Sequence, residues 1–273
     1  MKDWHGKNVL ITGAAGGLGT ELSMLYGQLG ATILALDLQE ESLKQLSEKL
    51  LAKKIKHAVF TCDITNSSNV EETIQQAMTQ YKELDLVIQN AGTSHRSPFI
   101  ETQLHVLEKV LQVNINGVIN VTHYTLPYIL NSNGGYIAIS SVAGFAPLYG
   151  RTAYAASKHA IQGFFETLRV EVLDQNVHVM EVCPSFIKTS MEHTAMGANG
   201  MHVHNEKKTV GQVLSPQFVA QKISQGYDRR KRRLFIGRIS WTAKIINSVA
   251  PNLYSRMMKK NIEKEFKISY KHE

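Results

Sequence analysis

Short runs of β-branched and aliphatic residues alternate along this chain with longer stretches in which apolar positions recur every three or four residues. The first pattern predicts strands buried on both faces, the second amphipathic helices. Strands are expected over residues 8–12, 32–36, 57–62, 84–89, 135–140, 177–183 and 234–237, with helices over 19–30, 40–53, 67–81, 104–130, 154–174 and 216–227. Such alternation calls for parallel strands joined by right-handed helical crossovers, so the fold class is α/β, a doubly wound seven-stranded parallel sheet in a single domain. Residues 190–215, rich in Gly, His, Asn and Lys, break the rhythm and read as a long loop of the kind that forms lids or binding segments. No internal repeat is present.

Beyond residue 237 the pattern changes again. Ile239, Trp241, Ile245, Ile246, Val249, Leu253, Met257 and Met258 stand among Lys and Arg, and Pro251 is expected to divide this C-terminal helical extension in two. The formal charge of +7 resides here: residues 1–225 carry 17 basic and 19 acidic side chains, residues 226–273 carry 13 and 4. Three roles fit a basic amphipathic extension: lying peripherally on anionic lipid, covering the mouth of a binding site, or packing on a partner subunit. The run Arg229-Arg230-Lys231-Arg232-Arg233 directly precedes the last strand and lacks interleaved aromatics, so it reads as a solvated turn, and no nucleic-acid partner is expected.

With 43% hydrophobic and 19% charged residues the composition is that of a soluble globular protein. Cys62 and Cys183, far apart in strand-like surroundings, suggest buried thiols rather than a disulfide framework or thiolate metal site. Residues 1–4 lead directly into the first strand, and no run of 18 apolar residues occurs. The expected location is cytoplasmic, with peripheral membrane contact as the variant the extension allows.

The first strand is followed by Thr12-Gly13-Ala14-Ala15-Gly16-Gly17-Leu18-Gly19 and then a helical run. Small residues here let the backbone approach a pyrophosphate, which the free N–H groups and positive dipole end of the helix attract. Gly13, Gly17 and Gly19 give a GxxxGxG spacing, distinct from the GxGxxG of other dinucleotide folds. Glycines are also ordinary turn residues, so context matters. Asp37 lies eighteen residues beyond Gly19 at the end of the second strand, where a carboxylate can accept hydrogen bonds from both ribose hydroxyls. Its charge would repel a 2′-phosphate, and no Lys or Arg occupies the turn or directly follows Asp37, so NAD is expected in preference to NADP. A loop or capping carboxylate is the plainer alternative for Asp37.

Tyr154 and Lys158, in Tyr-Ala-Ala-Ser-Lys at the start of a helix, project from one face. An ammonium beside a phenol of ordinary pKa about 10 favours the phenolate and moves the group towards proton transfer near neutrality. Ser141, thirteen residues before Tyr154 at a strand end, can hydrogen-bond a substrate oxygen beside the phenol. The same spacing occurs in helices where Tyr packs and Lys is solvated. Here it accompanies, in order, residues 12–19, Asp63, Asn90-Ala91-Gly92, Asn114-Ile115-Asn116-Gly117, Ser140-Ser141-Val142-Ala143-Gly144 and residues 184–189, and through them the chain resembles the short-chain dehydrogenase/reductase family over residues 7–237. Residues 90–97 and 154–165 are most similar to the branch containing microsomal steroid and retinoid dehydrogenases.

The resemblance implies a Rossmann-type fold and an oxidoreductase that moves hydride between NAD(H) and an alcohol or ketone, here a lipophilic one. Residues 1–237 would form the dinucleotide-binding and catalytic part, and 238–273 an extension of the same domain. Tyr154 would protonate or deprotonate the reacting oxygen, Lys158 bind the nicotinamide ribose and lower the phenol pKa, Ser141 position the substrate oxygen, and Asn114 hold a water of the proton relay. Asp63 with Ile64 would contact adenine, Asn90 brace the strand beneath the cofactor, and Ile187 and Thr189 meet the carboxamide. Thr12, Gly13, Gly17, Leu18, Gly19, Asp37, Gly92 and Pro184 would complete the cofactor contacts. The family usually carries Pro-Gly where this chain has Pro184-Ser185, a change expected to need only local adjustment. A homodimer or homotetramer, with the helices over 104–130 and 154–174 at an interface, is also implied.

His193, His202 and His204 crowd the irregular loop, but no carboxylate lies at ligand spacing, so solvated histidines and no metal are expected. Met191, Met196 and Met201 could make an adaptable apolar lid or merely pack the loop down. Two other functions fit the chain: reduction of 3-oxoacyl thioesters, with the basic tail meeting an acidic carrier, and a non-catalytic dinucleotide-binding scaffold.

Overall fold

The computed structural model describes residues 2–189, 191, 194–203, 211–262 and 266. Among them, seven strands form one fully parallel sheet: β1 (Asn8–Thr12), β2 (Thr32–Asp37), β3 (His57–Thr61), β4 (Leu86–Gln89), β5 (Gly135–Ile139), β6 (His178–Pro184) and β7 (Arg233–Ile236), ordered β3-β2-β1-β4-β5-β6-β7. The crossovers are α1 (Gly17–Gln28), α2 (Glu40–Ala52), α3 (Ser67–Tyr81), α4 (Leu104–Leu111), α5 (Gly117–Ser132), α6 (Thr152–Glu171) and α7 (Pro216–Asp228), and the extension forms α8 (Arg238–Val249) and α9 (Pro251–Ile262). This is the doubly wound Rossmann architecture expected from the alternation, and Pro251 does divide the extension.

Successive strand residues serve opposite layers. Val9 and Ile11 pack with Leu22 and Tyr26 of α1, Leu46 of α2 and Ile223 of α7. Leu10 packs with Val70 and Ile74 of α3, Val121 of α5 and Phe165 of α6. Helices thus cover both faces, which is why the strands read as near-continuous apolar runs. The strand order reverses between β1 and β4, and the crevice at the carboxyl ends of strands at such a switch point is where this architecture binds ligands.

One expected helix differs. The stretch over 104–130 is helical but divided: α4 and α5 flank a π turn at Gln112–Asn116, and α5 runs on to Ser132. An inserted residue of this kind marks functional positions in helices, and here it holds Asn114, which is fully buried.

Phe165 is fully buried, its ring 5.1 Å from Phe164 and 5.9 Å from Tyr136. Phe165→Ala is expected to cost about 3–5 kcal/mol, seen in urea unfolding as a lower midpoint at unchanged slope.

Candidate active site

The turn between β1 and α1 is shaped by its glycines. Gly13 adopts φ +61°, and a Cβ there would lie 2.8 Å from the Ala91 backbone; a Cβ on Gly19 would overlap the Gly13 carbonyl oxygen. No side chain caps the N-terminus of α1 and its first turn carries no acidic residue, so its N–H groups and positive dipole end are available to an anion. Asn90, just past β4, donates through Nδ2 to the carbonyls of Thr12 (3.1 Å) and Gly13 (2.9 Å). The Thr12 hydroxyl in return accepts from the N–H groups of Asn90 and Ala91, both at 3.1 Å.

A cleft of about 1030 Å³ runs from this turn across the carboxyl ends of the strands. Gly13, Gly17, Leu18, Asp37, Asp63, Ile64, Asn90, Gly92, Pro184, Ile187 and Thr189 line it together with Ser141, Tyr154 and Lys158. Asp37 closes β2 and accepts from the Ala15 N–H at 3.0 Å and the Gln39 N–H at 3.2 Å. Burial pushes the Asp63 carboxyl up, but the Thr65 hydroxyl and amide and the Lys109 charge outweigh it and hold the pKa low. Thr12 and Asn114 stand behind the wall, fully buried, as supports. The side chain of Asn114 accepts from the Thr93 N–H (2.8 Å) and donates to the Thr93 carbonyl (2.9 Å) and the Ser157 hydroxyl (2.9 Å).

At the far end, Ser141 caps a short 3₁₀ turn after β5, its hydroxyl accepting from the Ala143 N–H at 3.2 Å, and lines the cleft with Tyr154. Tyr154 and Lys158 share one face of α6, with the Lys158 ammonium 5.7 Å from the tyrosine ring centroid and donating to the Ile139 carbonyl at 2.9 Å. Burial pulls Lys158 down to about 8. Burial also pushes the Tyr154 phenol above its ordinary value, against the Ser141 hydroxyl and the Arg151 guanidinium. The net lowering expected for Tyr154 is therefore corrected: desolvation of the phenol dominates and its pKa is raised, with Ser141 and Arg151 opposing the rise.

Arg151 and its partner His95 escaped sequence analysis, because an Arg at a helix start and a His in a polar loop look like surface residues. Arg151 lines the cleft and donates to the His95 carbonyl oxygen. His95, fully buried, accepts from the Ala153 N–H at 3.1 Å through Nε2, so its ring binds the start of α6 as a neutral imidazole. The same segment pairs with the loop over 190–215: Arg96 N–H donates to the Met196 carbonyl and Met196 N–H to the Ser94 carbonyl. Of the loop methionines, Met191 and Met196 line the cleft, whereas Met201 is exposed. His193 and His204 lie outside the described residues, and among the described residues no cluster of metal-ligating side chains occurs. Ser185 fits where the family has Gly: its N–H donates to the Ile236 carbonyl at 2.9 Å, and its hydroxyl packs against Gly237, where a Cβ would lie 2.3 Å from it.

The pattern of the family described as short chain dehydrogenase matches residues 7–199. The chain belongs to the short-chain dehydrogenase/reductase family. It is 31% identical to the dehydrogenase/reductase SDR family member 7B of Bos taurus, over 95% of this chain and 82% of that one. It is 33% identical to the 3-oxoacyl-[acyl-carrier-protein] reductase FabG of Thermotoga maritima, over 68% and 76%. Its fold is that of a Burkholderia phymatum short-chain dehydrogenase/reductase in complex with NAD (TM-score 0.82, 21% identity, 93% and 96% covered) and of a Burkholderia cenocepacia short-chain dehydrogenase in complex with NADP (TM-score 0.79, 20% identity, 94% and 99% covered). As a short-chain dehydrogenase/reductase the chain is an oxidoreductase built to bind a nicotinamide dinucleotide, and the uncapped α1 N-terminus and close-packed glycine turn suit a pyrophosphate.

Burial, then the nearby Arg151, pulls the His95 imidazole down to about 4. Its contribution to stability is complete above the ordinary value of 6.5 and is lost as pH falls through about 4, because the unfolded chain takes up the proton first. His95→Gln, whose amide oxygen can still accept from Ala153, is expected to flatten the acid limb of stability between pH 6.5 and 4 by on the order of 3 kcal/mol, measured by urea unfolding across that range.

Proposed function

We propose that this chain is an NAD-dependent alcohol dehydrogenase or ketone reductase acting on a lipophilic substrate, and the convergence of Ser141, Tyr154 and Lys158 on the cleft that the glycine turn also lines is the observation that carries the reading. A bound nicotinamide would supply the hydride in reduction and accept it in oxidation. In reduction the Ser141 hydroxyl positions the carbonyl oxygen and Tyr154 gives its phenolic proton to that oxygen, so the product is the alcohol. Lys158 stays charged below about 8 and stabilises the phenolate that remains. In oxidation the same groups run in reverse.

Gly13, Gly17 and Leu18 would hold the pyrophosphate in a turn shaped by Thr12 and Gly19, Asp63 and Ile64 the adenine, and Pro184, Ile187 and Thr189 the nicotinamide end, with Asn90 and Asn114 fixing the walls. Asp37 faces the cleft with no cation beside it in sequence, which supports NAD over NADP. The remote end of the cleft is walled by Leu148, Tyr149, Met196, Ile246, Tyr254 and Met258, which supports a lipophilic substrate. We take residues 1–237 as the catalytic part and 238–273 as an extension that covers the substrate end and allows peripheral membrane contact. Exposed Ile119, Val170 and Leu173, on and next to α5 and α6, support a homodimer or homotetramer.

A second reading is 3-oxoacyl thioester reduction, favoured by the likeness to the Thermotoga maritima reductase. A substrate screen that follows NADH absorbance, with NADPH alongside and with free and carrier-linked 3-oxoacyl thioesters included, separates the two. Tyr154→Phe is expected to lower turnover by about 10²–10⁴-fold while NADH binding is retained; full turnover in this variant would sink the mechanism. Replacing Asp37 by Ser and Leu38 by Arg is expected to move the preference in kcat/KM from NADH towards NADPH by about tenfold or more.

A further inference from the structure

A second cavity, of about 600 Å³, lies between α6, β7 and α8 and shares no residue with the catalytic cleft. Helix α8 separates the two. Ile239, Thr242, Ala243 and Ile246 face the catalytic cleft, whereas Trp241 and Lys244 face the second cavity. Its walls carry five basic side chains, Arg169, Lys231, Arg232, Arg233 and Lys244, against Glu166 and Glu181.

Both carboxylates are already engaged. Glu181 is fully buried and accepts from Arg169 Nη2 at 3.1 Å and from Arg233 Nε and Nη2 at 3.0 and 2.8 Å, and Glu166 also pairs with Arg233. Two acids neutralise two arginines, and three cations remain in surplus. Among the described residues neither Lys231 nor Arg232 has a carboxylate partner, and Lys244 is held over the rings of Phe235 (4.5 Å) and Trp241 (5.6 Å). A concave, cationic site on an aromatic floor is built for an anion of several oxygens, such as a phosphate.

A second observation identifies where that phosphate comes from. Trp241 (51% exposed), Ile245 (58%) and Val249 (81%) recur every fourth residue along α8, and Leu253 and Met257 continue the exposed apolar series on α9. Arg256, Lys259 and Lys260 stand exposed on the same helix. Trp241 belongs to both features, forming part of the cavity wall and the start of the ridge. A tryptophan at the boundary between a basic site and an apolar ridge matches the headgroup level of a bilayer, where cations meet phosphates and apolar side chains enter the acyl region. Nucleic acid would require stacking aromatics along a groove, and Trp241 is the single exposed ring here.

We infer that the cavity between α6, β7 and α8 binds the phosphate of an anionic phospholipid headgroup while the Trp241–Ile245–Val249 ridge inserts beside it. The inference rests on the peripheral membrane contact proposed above and names the site and the lipid class. On α9, Met257 is exposed and also lines the catalytic cleft, so contact through the extension would bring the cleft entrance towards the lipid from which an apolar substrate would come.

The test compares sedimentation of the full-length protein with vesicles of phosphatidylcholine alone and with added phosphatidylserine, for the wild type and for a Lys231→Gln, Arg232→Gln, Lys244→Gln variant. Wild type is expected to partition onto the anionic vesicles and the variant about 100-fold less, with NADH binding and turnover of a soluble substrate unchanged. Inorganic phosphate is the probe for a soluble ligand: calorimetric binding to wild type, lost in the variant, together with vesicle binding supports the site. Phosphate binding with no vesicle binding overturns the lipid assignment. Equal partitioning of wild type and variant overturns the cavity but leaves peripheral contact standing, and Ile245→Asp then reports on the ridge alone. No partitioning of wild type onto either vesicle overturns both, whereas binding of an acidic carrier protein in place of vesicles reassigns the cavity to a protein partner.

Discussion

Asn90 fastens the two halves of the site. Its side-chain amide donates to the carbonyls of Thr12 and Gly13, while its backbone and that of Ala91 donate to the Thr12 hydroxyl. The chain then runs to Thr93, whose N–H and carbonyl both bond the amide of Asn114, and Asn114 donates to Ser157, whose hydroxyl donates to the carbonyl of Tyr154. Two sets of hydrogen bonds, joined by the short backbone from Asn90 to Thr93, therefore link the glycine turn to the start of α6. Side chains on flexible loops could not hold a hydride donor and a proton donor at reacting distance; an over-determined polar network between packed elements can. The π turn follows from the same need, since an inserted residue re-aims Asn114 into the network without ending the helix.

Burial sets the electrostatics of that site. It pushes the Tyr154 phenol up and draws Lys158 down to about 8, because a low-dielectric setting penalises whichever form is charged. Near neutral pH the protein's own groups therefore favour a neutral phenol beside a charged amine, the pair that carbonyl reduction needs. Alcohol oxidation requires the phenolate, and Ser141 and Arg151 pull in that direction. Arg151 is itself fixed by its bond to the His95 carbonyl, and His95 holds the first turn of α6 through Ala153. The backbone of Met196 pairs with the same segment, so this stretch of the 190–215 loop and the cation beside the phenol share one anchor.

Much of this was legible because it rests on local rules. Strand and helix periods gave the layers, and the glycine turn, Asp37 and the Tyr154–Lys158 spacing announced their own chemistry. Sequence was silent where tertiary placement changes a residue's meaning. Arg151 and His95 are ordinary polar residues until folding removes them from water, and the division of the 104–130 helix depends on a bond between Asn114 and Thr93, distant in sequence. The sign of the Tyr154 shift was missed for the same reason: spacing reveals the neighbouring ammonium but not the depth of burial.

The C-terminal extension lines the cleft without joining the hydrogen bonds around Asn90. The family pattern ends at residue 199, yet Ile246, Tyr254, Met258 and Phe266 beyond it line the cleft. Their packing is local. Ala243 and Tyr254 close on Ala146, with Phe145, Ile246 and Met258 around them, and Phe266 lies 5.6 Å from Tyr149. These contacts touch the segment between Ser141 and Tyr154 without entering the hydrogen-bond series that aligns the reacting groups. Substitutions in α8 and α9 can therefore reshape this part of the cleft without disturbing the bonds that place Tyr154 and Asn114.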